Sequence, residues 1–199
     1  MSREAYLILG MMALSLVFMS TGTGRAKGLS RATFAGGCFW CMEAVFDKVD
    51  GVISTTVGYT GGHTENPTYE EVCSGSTGHL EAVEILYDPE KISYGQLLEV
   101  FWRNIDPTVQ DRQFCDVGPQ YRTAVFYHDE EQRRLAQLSL EDLRQSGRFQ
   151  RIFTEIRAAT AFWPAEDYHQ DYYRKNPLRY NLYKVGCGRD RRLKDIWGD

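Results

Sequence analysis

Residues 31–59 read RATFAGGCFWCMEAVFDKVDGVISTTVGY. Arg31 to Ala35 is short and strand-like, and Gly36-Gly37 breaks the extended run. From Cys38 to Val49 the apolar residues Phe39, Met42, Val45, Phe46 and Val49 recur at helical spacing, so Cys38 is expected to open a helix. Gly51 stops that helix, and Val52 to Tyr59 is β-rich, which completes a strand-helix-strand unit.

The same order recurs downstream. A long Gly-containing loop runs from Thr60 to Gly78, with a short helical turn expected around Tyr69 to Cys73. Leu80 to Tyr87 reads as a strand ended by Asp88-Pro89. Ser93 with Gln96 forms a capping box, and Leu97, Leu98, Phe101, Trp102 and Ile105 give the following helix a broad apolar face. Tyr121 to Tyr127 closes a second strand-helix-strand unit. Asp129 with Gln132 opens a further helix carrying Leu135, Leu138 and Leu143, and Ile152 to Ile156 predicts one more strand. Two tandem units predict an α+β fold, a two-layer ferredoxin-like plait, and the Tyr-, Asp- and Arg-rich segment 165–199 is expected to wrap it as an irregular tail.

At 199 residues the chain accommodates one domain, given roughly 100–200 residues per domain. A composition of 43% hydrophobic and 25% charged residues excludes a disordered or polytopic membrane protein. With 23 Lys and Arg against 27 Asp and Glu there is no basic field to hold nucleic acid. Ala5 to Met19 is an uncharged, mostly apolar run after Arg3, followed by the small residues Ser20 to Gly24. It is shorter than the roughly 18–20 residues that span a bilayer, so residues 1–26 read as a secretion signal. The domain is then 27–199, exported and periplasmic in a bacterium, with an uncleaved membrane anchor as the alternative. Nothing calls for more than a monomer.

Five cysteines, 38, 41, 73, 115 and 187, are an odd number for an oxidising compartment, so at least one is free or exchanges partners. No metal site is expected: Cys38 and Cys41 form a single C-x-x-C, and His63, His79, His128 and His169 lack matching spacing. A thiol on a Gly-Gly turn at a helix start faces free backbone N–H groups and the positive end of the helix dipole. Both favour thiolate, which makes Cys38 the expected nucleophile, with Phe39 and Trp40 beside it to form a hydrophobic slot. Competing readings are a thioredoxin-like disulfide oxidoreductase, from the C-x-x-C alone, and a small binding module with structural cysteines.

Across nearly the whole of 27–199 the sequence resembles the A-type peptide methionine sulfoxide reductases. The resemblance rests on Gly36-Gly37-Cys38-Phe39-Trp40, Gly58-Tyr59-Thr60-Gly61-Gly62, Asn66-Pro67-Thr68-Tyr69, Cys73-Ser74-Gly75, Gly78-His79-Leu80-Glu81, Gly118-Pro119-Gln120-Tyr121-Arg122 and Ala165-Glu166-Asp167-Tyr168-His169-Gln170. It implies thiol-dependent reduction of methionine-S-sulfoxide, free or in oxidised proteins and peptides. No bound cofactor is implied, and an external thioredoxin-like thiol is the reductant. Cys38 is then the nucleophile, Phe39 and Trp40 hold the substrate methyl, and Tyr69, Glu81, Asp116 and Tyr121 surround the sulfoxide oxygen. The strand context agrees for Glu81, whose same-face neighbours Val83 and Ile85 are apolar and should raise its pKa. Many members of the family carry Gly where Cys41 stands here. Cys41, one turn after Cys38, and Cys187, in a mobile-looking Gly186-Cys187-Gly188, are therefore both candidate resolving thiols. Proximity favours Cys41 first, with Cys187 then taking over the bridge.

Overall fold

A computed structural model describes residues 28–198, so the expected signal at 1–26 lies outside the described residues. The chain begins with β1 (Ser30–Gly36), α1 (Phe39–Phe46) and β2 (Val52–Thr60). After α2 (Tyr69–Cys73) come β3 (Leu80–Tyr87) and α3 (Tyr94–Arg103), then the two-residue strands β4 (Arg112–Gln113) and β5 (Asp116–Val117). A 3-10 turn at Pro119–Tyr121 leads into β6 (Thr123–Tyr127), α4 (Glu130–Gln145), β7 (Glu155–Ala158) and β8 (Phe162–Pro164). Three helices end the chain: α5 (Tyr172–Lys175), α6 (Pro177–Cys187) and α7 (Arg189–Trp197).

Six strands form one mixed sheet in the order β7-β6-β1-β3-β2-β8, and β4 pairs with β5 apart from it. Only the β6-β7 pairing is parallel; the other four are antiparallel. Phe34 of β1 stacks on Phe46 of α1 at 5.4 Å and on Phe101 of α3 at 5.0 Å between ring centroids, so both helices cover the same face. The alternation of β3 follows from this: Val83 and Ile85 enter the core beneath those helices. The capping boxes at Ser93 and Thr68 both form, each with a side chain accepting from the backbone three residues on.

The turn between β1 and α1 requires its glycines. Gly37 has φ +79°, and a Cβ there would lie 2.4 Å from Gln113 Cβ; one at Gly36 would lie 2.6 Å from Met42 Sδ. Side chains of α1 and β4 therefore crowd the two glycines that precede Cys38.

The structure corrects several expectations. Cys38 is the N-cap, with φ −49° and ψ 116°, and α1 starts at Phe39. The expected strand at 152–156 forms at Glu155–Ala158, where it adds in parallel to β6, and β8 was not anticipated. The segment 165–199 is not irregular, since it carries three helices and closes the core. Trp197 is buried with its indole N–H on Ile105 O at 3.1 Å, and Phe149 meets its ring edge-on. Arg189, also buried, donates to Asn104 O and lies over the Phe114 ring at 4.5 Å. Cys187, expected on a mobile tail, ends α6 and is bonded to Cys115, a pairing that the sequence did not indicate.

That bond joins residues separated by 72 positions, a closure worth about 2–4 kcal/mol through restriction of the unfolded chain. Cys115→Ser should therefore lower Tm by about 4–16 °C in non-reducing calorimetry. A shift below about 2 °C would mean that α6 and α7 are held by packing alone.

Candidate active site

Six elements deliver side chains to one small cavity. β1 ends at the glycine turn, which places Cys38, Phe39 and Trp40 at the mouth of α1, and α2 brings Tyr69. β3 brings Glu81 and β5 brings Asp116, while the 3-10 turn brings Tyr121. These seven residues, all expected from sequence, line a cavity of about 190 Å³ together with Tyr183 of α6. A larger depression of about 1000 Å³ between α3 and α4 is lined by Leu98, Trp102, Leu135 and Leu138 and holds no Cys or His. Size does not identify the site here; the thiol does.

Glu81 is 2% exposed, and its Oε2 accepts the backbone N–H of Phe39 at 3.0 Å. The first free N–H of the helix is thus directed at the carboxyl rather than at the thiol. Burial still prevails over that hydrogen bond and pushes the Glu81 pKa up to about 8, with Asp116 and Cys41 adding in the same direction. At neutral pH Glu81 therefore holds a proton it can give.

The thiol pair departs from expectation. Cys38 is 5% exposed, and burial raises its pKa well above the ordinary thiol value; Cys41 and Glu81 add to this, and the Tyr183 hydroxyl opposes it. The dipole at the helix start does not make Cys38 a resting thiolate, because desolvation outweighs it. Cys41 moves the other way, to about 7: the Cys38 thiol donates to it, and Arg189 and the Tyr180 hydroxyl help against burial. Cys38 and Cys41 are both free thiols, adjacent and sharing a hydrogen bond, while Cys73 is free and exposed.

The hydroxyl donors are held protonated. Burial and nearby carboxylates push Tyr69, Tyr121 and Tyr183 upward, so none of them titrates near neutrality. Tyr183 donates to Asp116 Oδ2 at 2.5 Å, and burial lifts the Asp116 carboxyl above its usual range. Asp116 is thus tied to α6, and through Cys115, its neighbour in sequence, to Cys187. Among the described residues, Cys115, Asp116 and Cys187 are grouped closely enough to hold a metal ion, but their two sulfurs are already joined to each other.

Sequence reasoning missed Tyr180, Tyr183, Tyr172 and Arg189, and left His169 without a role. A signal existed for the first two. Pro177 followed by Tyr180, Tyr183 and Cys187 places the aromatics and the thiol at i, i+3 and i+7, one face of a helix that Pro at its first position initiates. Nothing local to Tyr172 or Arg189 indicates their partners, which lie on α1 and beside it.

The sequence model of the family described as peptide methionine sulfoxide reductase matches residues 30–199. The peptide methionine sulfoxide reductase MsrA of Bacillus licheniformis is 55% identical over 168 residues, covering 84% of this chain and 93% of that protein. Reduced Mxr1 from Saccharomyces cerevisiae superposes with a TM-score of 0.70 at 33% identity, covering 76% of this chain and 87% of that one. The yeast protein in complex with Trx2 gives a TM-score of 0.51 at 25% identity, over 73% of this chain and 85% of that one. A buried thiol beside a protonated carboxyl, three hydroxyl donors and an aromatic wall, in a chain with these relatives, places this protein in the peptide methionine sulfoxide reductase family.

Proposed function

We propose that Cys38 reduces methionine-S-sulfoxide, free or in oxidised proteins and peptides, with Glu81 as the acid. The observation that carries the reading is the buried, protonated Glu81 facing the same 190 Å³ cavity as the Cys38 thiol. Sulfoxide oxygen leaves sulfur readily only when protonated. With the substrate methyl against Phe39 and Trp40, the oxygen points toward Glu81, Tyr69 and Tyr121, and the carboxyl proton passes to it. The Cys38 sulfur attacks, the oxygen moves onto it, and the Glu81 carboxylate takes up the thiol proton. Methionine leaves and Cys38 is a sulfenic acid. Asp116 and Tyr183, joined by the hydroxyl hydrogen bond, fix the far wall.

The hydrogen bond between the two thiols supports Cys41 as the resolving residue. Its thiolate, accessible near neutral pH, attacks Cys38 while the Glu81 carboxyl gives a proton to the leaving oxygen, so that the S–O bond breaks, water departs and a Cys38-Cys41 bridge remains. Cys187 cannot act at this stage, because it is bonded to Cys115. We read Cys115 and Cys187 as a second couple nearer the surface. An external thioredoxin-like dithiol reduces it, Cys187 then attacks Cys41 and frees Cys38, and Cys115 closes on Cys187 to free Cys41. The resulting state, two free thiols inside and one disulfide outside, is the one the molecule displays. The complex of yeast Mxr1 with Trx2 supports a reductant of that class.

Two further readings belong here. The order β6-β1-β3-β2 with β1-α1-β2 and β3-α3-β6 crossovers supports the ferredoxin-like plait as the kernel of the fold. A disulfide couple near the surface suits an oxidising compartment, which supports export of the domain 27–199.

Mass spectrometry of a methionine sulfoxide peptide incubated with the protein and dithiothreitol tests the activity. Cys38→Ser should lose it entirely with the fold intact; more than about a hundredth of the parent rate would remove Cys38 from the role. Only the S epimer should be consumed, because methyl slot, oxygen site and thiol fix three points; equal loss of both epimers contradicts that arrangement. Glu81→Gln should cost on the order of 10²–10⁴ in rate. The parent rate should fall as pH rises through about 8, where the acid is lost, and the Gln variant should lack that limb. For the relay, Cys187→Ser should still form the Cys38-Cys41 bridge in one turnover but recycle poorly with a protein dithiol. Mapping that finds Cys38 as sulfenic acid and Cys41 free in this variant would give the first step to Cys187 instead.

A further inference from the structure

Trp40 lines the slot as the second residue of α1. Phe39 of the same helix meets its ring only at a tilt, 6.4 Å between centroids, while the hydrogen bond and the stacked face that hold the indole come from segment 165–187. Its indole N–H donates to His169 Nδ1 at 3.0 Å. Its face lies on the Tyr172 ring, with 3.8 Å between centroids and 7° between planes. The His169 ring also sits 5.0 Å from Phe39 and 4.5 Å from Tyr69, so one imidazole touches three residues of the cavity wall. Neither His169 nor Tyr172 lines the cavity itself.

The segment bearing these two rings is anchored on both sides. The Gln170 side chain bridges Val57, accepting its N–H at 2.9 Å and donating to its C=O at 2.8 Å. The Asp171 N–H donates to Glu43 Oε1 at 2.9 Å, inside the same helix that carries Trp40. His169 Nε2 has no hydrogen-bond partner and stands 3.9 Å from Glu166 Oε2. With Nδ1 accepting from Trp40, the ring proton belongs on Nε2, and burial keeps the imidazole neutral, as this arrangement requires.

We propose that His169 and Tyr172 are positioning residues for sulfoxide reduction: they clamp the Trp40 indole by its N–H and its face, and so set the width of the methyl slot. The inference rests on the reading of Phe39 and Trp40 as the methyl site. A clamp of this kind acts on substrate binding and epimer choice, because neither ring reaches the reacting atoms. Loosening it leaves Glu81 and Cys38 where they are, held by the Phe39 N–H and the glycine turn.

Four variants test it on the full chain: His169→Leu, His169→Asn, Tyr172→Leu and Tyr172→Phe. Asn places an oxygen where Nδ1 stands, and Phe keeps the stacked face. With a methionine-S-sulfoxide peptide, each Leu variant should raise KM about tenfold with kcat within about threefold, while Asn and Phe stay near the parent. Without substrate, the ¹H–¹⁵N indole resonance of Trp40 should move upfield in His169→Leu and hold its place in His169→Asn. Unchanged KM in a folded His169→Leu protein, or an Asn variant as impaired as Leu, overturns the clamp. If His169→Leu does not fold, the Tyr172 pair decides on the same criteria. A parent protein that leaves the sulfoxide untouched overturns the methyl-site reading instead, and the indole shift then reports whether the hydrogen bond exists independently of catalysis.

Discussion

The hydrogen bond from the Phe39 N–H to Glu81 joins the start of α1 to β3, and the geometry of the site depends on it. A buried carboxyl without partners would be costly; one that accepts a helix-terminal N–H is tolerable, yet remains neutral because it is so thoroughly desolvated. The same contact satisfies a backbone donor that the first turn cannot satisfy internally. Cys38 and Glu81, the proposed nucleophile and acid, are thereby held by backbone at a turn whose glycines leave no room for a Cβ.

This arrangement has a consequence for the thiols. Since the helix N-terminus is occupied by Glu81, Cys38 is left with Tyr183, Cys41 and burial. Burial prevails, and Cys38 rests as a neutral thiol. In the proposed reaction the cost of forming its charge falls on the moment of attack, when proton loss can be coupled to proton donation at oxygen. The more acidic partner is Cys41, beside Arg189, which suits its proposed attack on the sulfenic acid.

The C-terminal third supplies what the first two thirds lack. α6 brings Tyr180 to Cys41 and Tyr183 to Cys38 and Asp116, and its last residue is locked to Cys115, next to Asp116. α7 seals the core with Trp197 and returns Arg189 to the thiol pair. The site is therefore assembled across the whole length of the chain.

Much of this was legible in the sequence, because it was local. The Gly-Gly break, the helical period after Cys38, the capping box at Ser93 and the apolar flanks of Glu81 each depend on residues within a few positions of one another. They placed the central elements and Cys38, Phe39, Trp40 and Glu81, whereas Tyr69, Asp116 and Tyr121 entered only through the motif resemblance. β7 begins three residues and ends two residues later than expected, because its position is set by parallel pairing to β6, a partner about 30 residues away. The Cys115-Cys187 bond, the stacking of Tyr172 on Trp40 and the approach of Arg189 to Cys41 join residues more than 70 positions apart. No short-range periodicity records such pairs. Even the protonation of Cys38 followed the tertiary structure, since the local helix start argued for thiolate while burial, which only the packed chain determines, decided for thiol.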